Sequence, residues 1–141
     1  MEIKGLNHIT ISVSNLEKSI LFYEQALKAK LMVKAEKMAY FDLHGIWLAL
    51  NVQMDIPRND IHSSYTHMAF TVDEHDFEHI EQQLKNQGVS ILDGRNRDEA
   101  REGKSIYFTD PDGHKFEFHT GNLQKRIQYY KDEKKNMTFY I

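Results

Sequence analysis

The chain has 141 residues, of which 40% are hydrophobic and 28% charged, with a formal net charge of −3. That balance suits one globular domain, or two small halves sharing a core. It lacks the basic footprint of a nucleic-acid binder and any apolar run near the ~18 residues that a membrane span needs. Cysteine is absent, which excludes disulfides, thiolate ligands and a cysteine nucleophile, so any thiol in the chemistry must come from a second substrate.

Met1 to Gly5 runs straight into strand-like sequence and does not read as a signal peptide, so a cytoplasmic protein is expected. Asn7-His-Ile-Thr-Ile-Ser-Val13 alternates, with His8, Thr10 and Ser12 on one face and Ile9, Ile11 and Val13 on the other. Ser14-x-x-Glu17 reads as a capping box. It opens a helix whose apolar stripe is Leu16, Ile20, Tyr23 and Leu27. Strands follow and end in the hairpin Ala39 to Leu50. Asp55-Ile-Pro-Arg-Asn-Asp60 reads as a linker.

The pattern then recurs. Thr66-His-Met-Ala-Phe-Thr-Val72 repeats the first strand, with His67, Ala69 and Thr71 on one face. A helix from near Asp73 carries Phe77, Ile80 and Leu84 and stops at Gly88, a C′ glycine. The closing hairpin is Ile106 to His119, turned by Asp110-Pro-Asp-Gly113. Tyr40-Phe41 aligns with Tyr107-Phe108, Gly45 with Gly113, and Ala49 with Glu117. The expected fold is therefore α+β, with a βαβββ module at 5–54, a second at 64–121, and a C-terminal helix and tail at 122–141, all in one domain. The helix is expected over Leu123 to Tyr130, followed by a Lys-rich loop and the apolar end Met137 to Ile141.

Two such modules can bring curved sheets around a cleft where equivalent positions meet. His8 and His67 are equivalent, and both are expected to point inward. Glu117 lies mid-strand between Phe116 and Phe118, where a carboxylate is costly to bury unless its charge is compensated. A lone strand histidine is more often a hydrogen-bonded core or surface residue than a ligand. Two at equivalent positions, with a carboxylate at a third, point to a metal site with open positions; the N/O donors suit Mn(II), Fe(II), Ni(II), Co(II) or Zn(II). His44, His62, His75, His79, His114 and His119 read as solvated. The inward face also carries Tyr40, Trp47, Asn51, Ser105, Tyr107 and Thr109, groups that hydrogen-bond a small polar ligand. Arg95, Arg97, Arg101 and Lys104 crowd the loop before Ser105. With Arg126 they form a cationic set suited to a small anion such as a phosphonate, phosphate or carboxylate.

These paired modules, with His8, His67 and Glu117, resemble the vicinal oxygen chelate superfamily, which includes glyoxalase and bleomycin-resistance proteins. The stretches Gly45 to Asn51, Ile56-Pro-Arg-Asn59, Ser64-Tyr-Thr-His67, Ser105 to His114 and Met137-Thr-Phe-Tyr140 more closely resemble the fosfomycin-resistance metallothiol transferases of Gram-positive bacteria, the bacillithiol-using kind. The resemblance spans essentially the whole chain. It implies a transferase that opens the fosfomycin epoxide with a low-molecular-weight thiol, bacillithiol or else cysteine. It implies Mg(II) or Mn(II) on His8, His67 and Glu117. Antibiotic contacts are implied at Tyr40, Trp47, Asn51, Tyr65, Arg95, Ser105, Tyr107 and Arg126, with Thr10 and Tyr107 orienting the substrate. A homodimer is implied as well, in which His8 of one subunit joins His67 and Glu117 of the other. The alternatives on the same fold are an Fe(II) dioxygenase, a glyoxalase-like isomerase, or a metal-free antibiotic-binding protein.

Overall fold

The computed structural model describes residues 1–133 and 136–140. The Lys-rich loop and the last apolar residue expected from sequence therefore lie partly outside the described residues. Within them the chain divides into two compact units, residues 1–65 with 109–114, and residues 66–108 with 115–140. Among the described residues no helix is long and apolar enough to cross a membrane.

The first unit runs β1 (His8–Val13), α1 (Leu16–Ala26), β2 (Lys30–Lys34), β3 (Met38–Leu43), β4 (Ile46–Val52) and α2 (Asn59–Ser63). Its sheet has the order β1-β4-β3-β2. β1 pairs with β4 in parallel, and β4 antiparallel with β3. Alternation puts Ile11, Val13, Phe41, Leu43, Leu48 and Leu50 into a core with Leu16, Ile20 and Tyr23 of α1, all buried. The other face keeps His8, Thr10, Trp47 and Asn51 exposed, as strand period predicts.

The capping box is corrected by one residue. Asn15 caps α1, its side-chain oxygen accepting from the Lys18 N–H at 3.0 Å. The Ser14 N–H instead donates to Asp112 at 3.0 Å. The expected linker at 55–60 is also pinned. Arg58 donates to the Ser12 carbonyl (3.1 Å), the Ser12 hydroxyl (3.2 Å) and the Gln53 carbonyl (2.7 Å), and lies 3.4 Å from Asp112.

The second unit repeats the order: β5 (His67–Thr71), a 3-10 turn (Glu74–Asp76), α3 (Phe77–Asn86), β6 (Ser90–Leu92), α4 (Glu99–Glu102), β7 (Ser105–Thr109), β8 (Lys115–His119) and α5 (Leu123–Glu133). Its sheet is β5-β8-β7-β6, with β5 parallel to β8. The helix expected from Asp73 starts at Phe77 behind the 3-10 turn, and the C-terminal helix runs one turn beyond Tyr130. Phe108, Phe116 and Phe118 form its aromatic core, with ring centroids 4.8 to 5.8 Å apart.

The turn residues 109–114 belong to the first unit, where two buried acids anchor them. The Tyr23 hydroxyl, with no exposure, donates to Asp110 at 2.6 Å. The other Asp110 oxygen accepts from the backbone N–H groups of Asp112 (3.0 Å) and His114 (2.9 Å). His114 contacts the Ser12 carbonyl at 2.7 Å, so it is held by the fold and not simply solvated. Burial, then the negative charge of Asp110 and the bond to it, raise the Tyr23 pKa well above 10.0. Burial also raises Asp110, although the Tyr23 bond, the His114 charge and the two amides pull it back.

An acid whose folded pKa is raised contributes stability that is complete below its unfolded pKa and lost as pH climbs past it. Tyr23→Phe should therefore cost about 2 kcal/mol at neutral pH, the scale of a hydrogen bond to a charged group. It should also flatten part of the stability loss above about pH 10, where the unfolded tyrosine ionises. Urea titrations at the two pH values measure both effects.

Candidate metal centre and substrate face

In the first unit the sheet register sets the candidate face. His8 pairs with Trp47, Thr10 with Ala49 and Ser12 with Asn51, while Tyr40 pairs with Ala49 from the other side. The His8 and Trp47 rings lie 4.5 Å apart, and Tyr40 meets Trp47 edge-on at 5.2 Å. The Asn7 side-chain oxygen lies 2.7 Å from His8 Nδ1. Because that oxygen only accepts, Nδ1 donates to it and Nε2 is the ring nitrogen left to face a ligand, the arrangement metal-bound histidines adopt. Ala49 is buried at 3% and adds no donor. Tyr65 is exposed near the end of this unit.

The second unit uses the same register with one decisive change: Ala69 pairs with Glu117, where Thr10 pairs with Ala49. Glu117 is 6% exposed between two buried phenylalanines. Its Oε1 lies 3.0 Å from His67 Nε2, its Oε2 accepts a hydrogen bond from the Ser105 hydroxyl, and His119 Nδ1 stands 3.5 Å from Oε2. His119 Nδ1 is also 2.7 Å from Ser105 Oγ and 3.1 Å from the Lys104 carbonyl, which places the proton on Nδ1. Tyr107 meets His67 edge-on at 5.6 Å.

His119 was expected to be solvated, and the structure corrects this. Its side chain is 17% exposed. Burial lowers its pKa, and the charges of Arg126 and Arg97 lower it further, against the opposing pull of Glu117 and the Lys104 carbonyl. It shares strand parity with Glu117, so alternation could have found it.

The His67–Glu117 pair fits a divalent ion. With a proton on Nε2 the contact is a hydrogen bond. With that proton lost, the same two atoms are donors 3.0 Å apart, the spacing of two ligands at right angles with bonds of about 2.1 Å. Asp73, His75 and Asp76 also offer donors within 4.8 Å of one another, but all three are exposed, at the start of and along the 3-10 turn.

The cations are not one cage. Arg95 donates to Glu102 at 2.8 Å, and Arg126 Nε lies 3.7 Å from the same carboxylate oxygen. Arg97 donates to the Tyr107 hydroxyl at 2.9 Å. Arg101 turns to Glu133 (2.7 Å) and Asp132 (2.9 Å) on α5. Lys104 lies over the Phe77 ring, 4.0 Å from Glu74. Arg101 and Lys104 thus take intramolecular partners in place of the anion role expected of them. Glu102, hidden in the charge run, was not singled out from sequence. It is 2% exposed and accepts also from the Asp98 N–H at 2.9 Å. Burial pushes its pKa up, but the Arg95 and Asp98 bonds and the charges of Arg95 and Arg126 hold it below the usual carboxylate value. Gly103 and Gly121 allow this packing: Gly103 has φ +92, and a Cβ there would lie 2.6 Å from the Gly121 nitrogen.

The duplicated βαβββ topology and the two donor-bearing faces define a vicinal oxygen chelate architecture. The family model for the glyoxalase/bleomycin resistance protein/dioxygenase superfamily matches residues 5–118, and the chain belongs to that superfamily. It is 61% identical over 99% of both chains to metallothiol transferase FosB of Lysinibacillus sphaericus. It is 60% identical to the protein of the same name in Staphylococcus saprophyticus, over 98% of this chain and 91% of that one. Among solved structures it resembles the fosfomycin resistance protein FosX from Listeria monocytogenes, complexed with Mn(II) and sulfate. That match has TM-score 0.79 and 30% identity over 92% of this chain and 99% of that chain.

A carboxylate with a lowered pKa contributes stability present above its unfolded pKa and lost as pH falls through the folded value. Glu102→Ala should cost about 2 kcal/mol at pH 7, because it removes two charge-assisted bonds and leaves two guanidiniums facing each other. Glu102→Gln should abolish its share of the stability lost below about pH 4.3, the ordinary carboxylate value. Urea midpoints against pH measure both.

Proposed function

We propose that this protein is a metal-dependent transferase that inactivates fosfomycin by adding a low-molecular-weight thiol to its epoxide. The observation that carries the reading is the contact between half-buried His67 and buried Glu117, on a chain 61% identical to a metallothiol transferase. His8, with Nδ1 committed to Asn7, is the third ligand. In the homodimer this reading requires, His8 of one subunit completes the set formed by His67 and Glu117 of the other. Mn(II) or Mg(II) is the ion and bacillithiol the thiol. The cytoplasm, where small thiols stay reduced, is the location.

When bound, the metal supplies Lewis-acid stabilisation of the alkoxide that develops as the epoxide opens. The protein supplies placement. Ser105, backed by His119, holds Glu117 Oε2 and so orients the carboxylate. Arg126 and Arg95 bind the phosphonate through charge-assisted hydrogen bonds, steered by their shared anchor Glu102. Tyr107, held by Arg97, and Thr10 orient the substrate. Tyr40, Trp47 and Asn51 line the first unit's share of the site, and Tyr65 extends it. The thiol sulfur attacks the epoxide carbon as the C–O bond breaks, and the thiol proton ends on the released oxygen. Orientation and charge stabilisation each lower such a barrier by several kcal/mol.

Incubation with Mn(II), fosfomycin and a thiol should yield an adduct whose mass is the sum of antibiotic and thiol. A diol with no sulfur would instead make water the nucleophile and overturn thiol transfer. Glu117→Gln should weaken Mn(II) by roughly 100-fold or more. His119→Ala, which removes only the support behind Ser105, should weaken it by about tenfold. Titration of Mn(II) by electron paramagnetic resonance reads both without turnover.

A further inference from the structure

The face that carries His8 continues across the first sheet to its far edge. His8 pairs with Trp47, Trp47 with Asp42, and Tyr40 with Val33 of the edge strand β2. Directly paired residues share a face. The register of β2 shifts between Leu31 and Val33. Such a bulge sets two residues of one strand against one position of its partner and re-aims their side chains. Met32 and Val33 are the residues at this bulge, 57% and 50% exposed. With Tyr40, Ile46 and Trp47 they line a pocket of about 410 Å³ in the first unit, a volume within the roughly 300 to 1,000 Å³ of small-molecule sites.

The pocket has a chemical character of its own. Its walls are aliphatic and aromatic, and among the described residues Asp42 is the one charged group in the lining. One Asp42 oxygen accepts from the Gly45 N–H at 2.7 Å. An acid beside apolar walls repels an anion and favours an uncharged hydrocarbon group. Trp47 joins this pocket to the candidate metal centre, because its ring lies 4.5 Å from that of His8. Met32 and Val33 are apolar side chains on an open sheet edge, a place where proteins ordinarily put charge. An apolar ligand gives them an occupant.

We infer that the enzyme takes 1,2-epoxyalkylphosphonates whose apolar chain is longer than the single methyl of fosfomycin, with that chain laid past Trp47 toward Met32 and Val33. The inference rests on the epoxide-phosphonate reading above and adds a substrate class to it. The bond changes at the ring stay the same: the S–C bond forms, the C–O bond breaks, and the thiol proton passes to the released oxygen.

A homologous series tests this, with methyl, ethyl, propyl and butyl epoxyphosphonates, one thiol and Mn(II)-loaded full-length enzyme. The kcat/KM should rise about twofold per added methylene, less than the roughly fourfold of complete burial because the pocket is partly open. Calorimetric Kd values for the unreactive methyl- to butylphosphonates should fall in the same steps, a readout that needs no turnover. Val33→Asp, at an exposed edge position, should bring the butyl-to-methyl ratio of both series to one or below. A wild-type series that is flat or declines with chain length overturns the inference; a second copy of the chain seated on Met32 and Val33 would give that result. A Val33→Asp enzyme with the wild-type slope overturns it as well. If fosfomycin itself yields no thiol adduct, the thiol-transfer reading fails, while the calorimetric series still decides whether the pocket takes the chain.

Discussion

Glu117 sits at 6% exposure between Phe116 and Phe118, and a carboxylate taken that far from water is costly unless its oxygens find partners. The second unit supplies those partners. His67 meets one oxygen, Ser105 the other, and His119 supports Ser105 from behind. Each partner comes from a strand whose register is set by backbone pairing: His67 from β5, Ser105 from β7, His119 from β8 itself. Shifting any of these strands by one residue would turn the donor to the far face and leave the charge unmet. The aromatic core beneath the sheet secures that register.

Duplication explains both the likeness and the difference of the two units. In each, the first strand pairs in parallel with the last, and a histidine opens the pairing. The change from Ala49 to Glu117 makes the second unit the one that carries an anionic donor. The first unit keeps a single imidazole and surrounds it with aromatic rings. Its acids do other work: Asp110 and Asp112 hold a turn through Tyr23, Ser14 and Arg58.

The charged loop shows how burial sorts cations of similar sequence context. Arg95 and Arg126 share Glu102, and a buried carboxylate between two guanidiniums offsets their repulsion while holding their orientation. Arg101 spends its donors on exposed acids of α5, where screening leaves little energy. Arg97 packs on Tyr107 and takes no ion pair among the described residues. Four basic residues within ten positions thus have separate environments.

Much of the fold and half of the site could be read from residue order. The two βαβββ repeats, the shared parity of His8 with Thr10 and of His67 with Ala69, and the equivalence of Glu117 with Ala49 all follow from strand and helix periods. Those periods are local backbone geometry and are written directly into the sequence. Resemblance added the expectation of Mg(II) or Mn(II) and of the antibiotic contacts. Tertiary structure alone decided that Ser105 and His119 hold Glu117, that Glu102 claims Arg95 and Arg126, and that Asn15 in place of Ser14 caps α1. The contacts of Glu102 with Arg95, 7 residues away, and of Ser105 with Glu117 and His119, 12 and 14 residues away, depend on distances between these groups and on how far each is removed from water. A charge in a linear sequence carries neither quantity, because the strength of an ion pair is set by separation and local dielectric, and both exist only after the chain has packed.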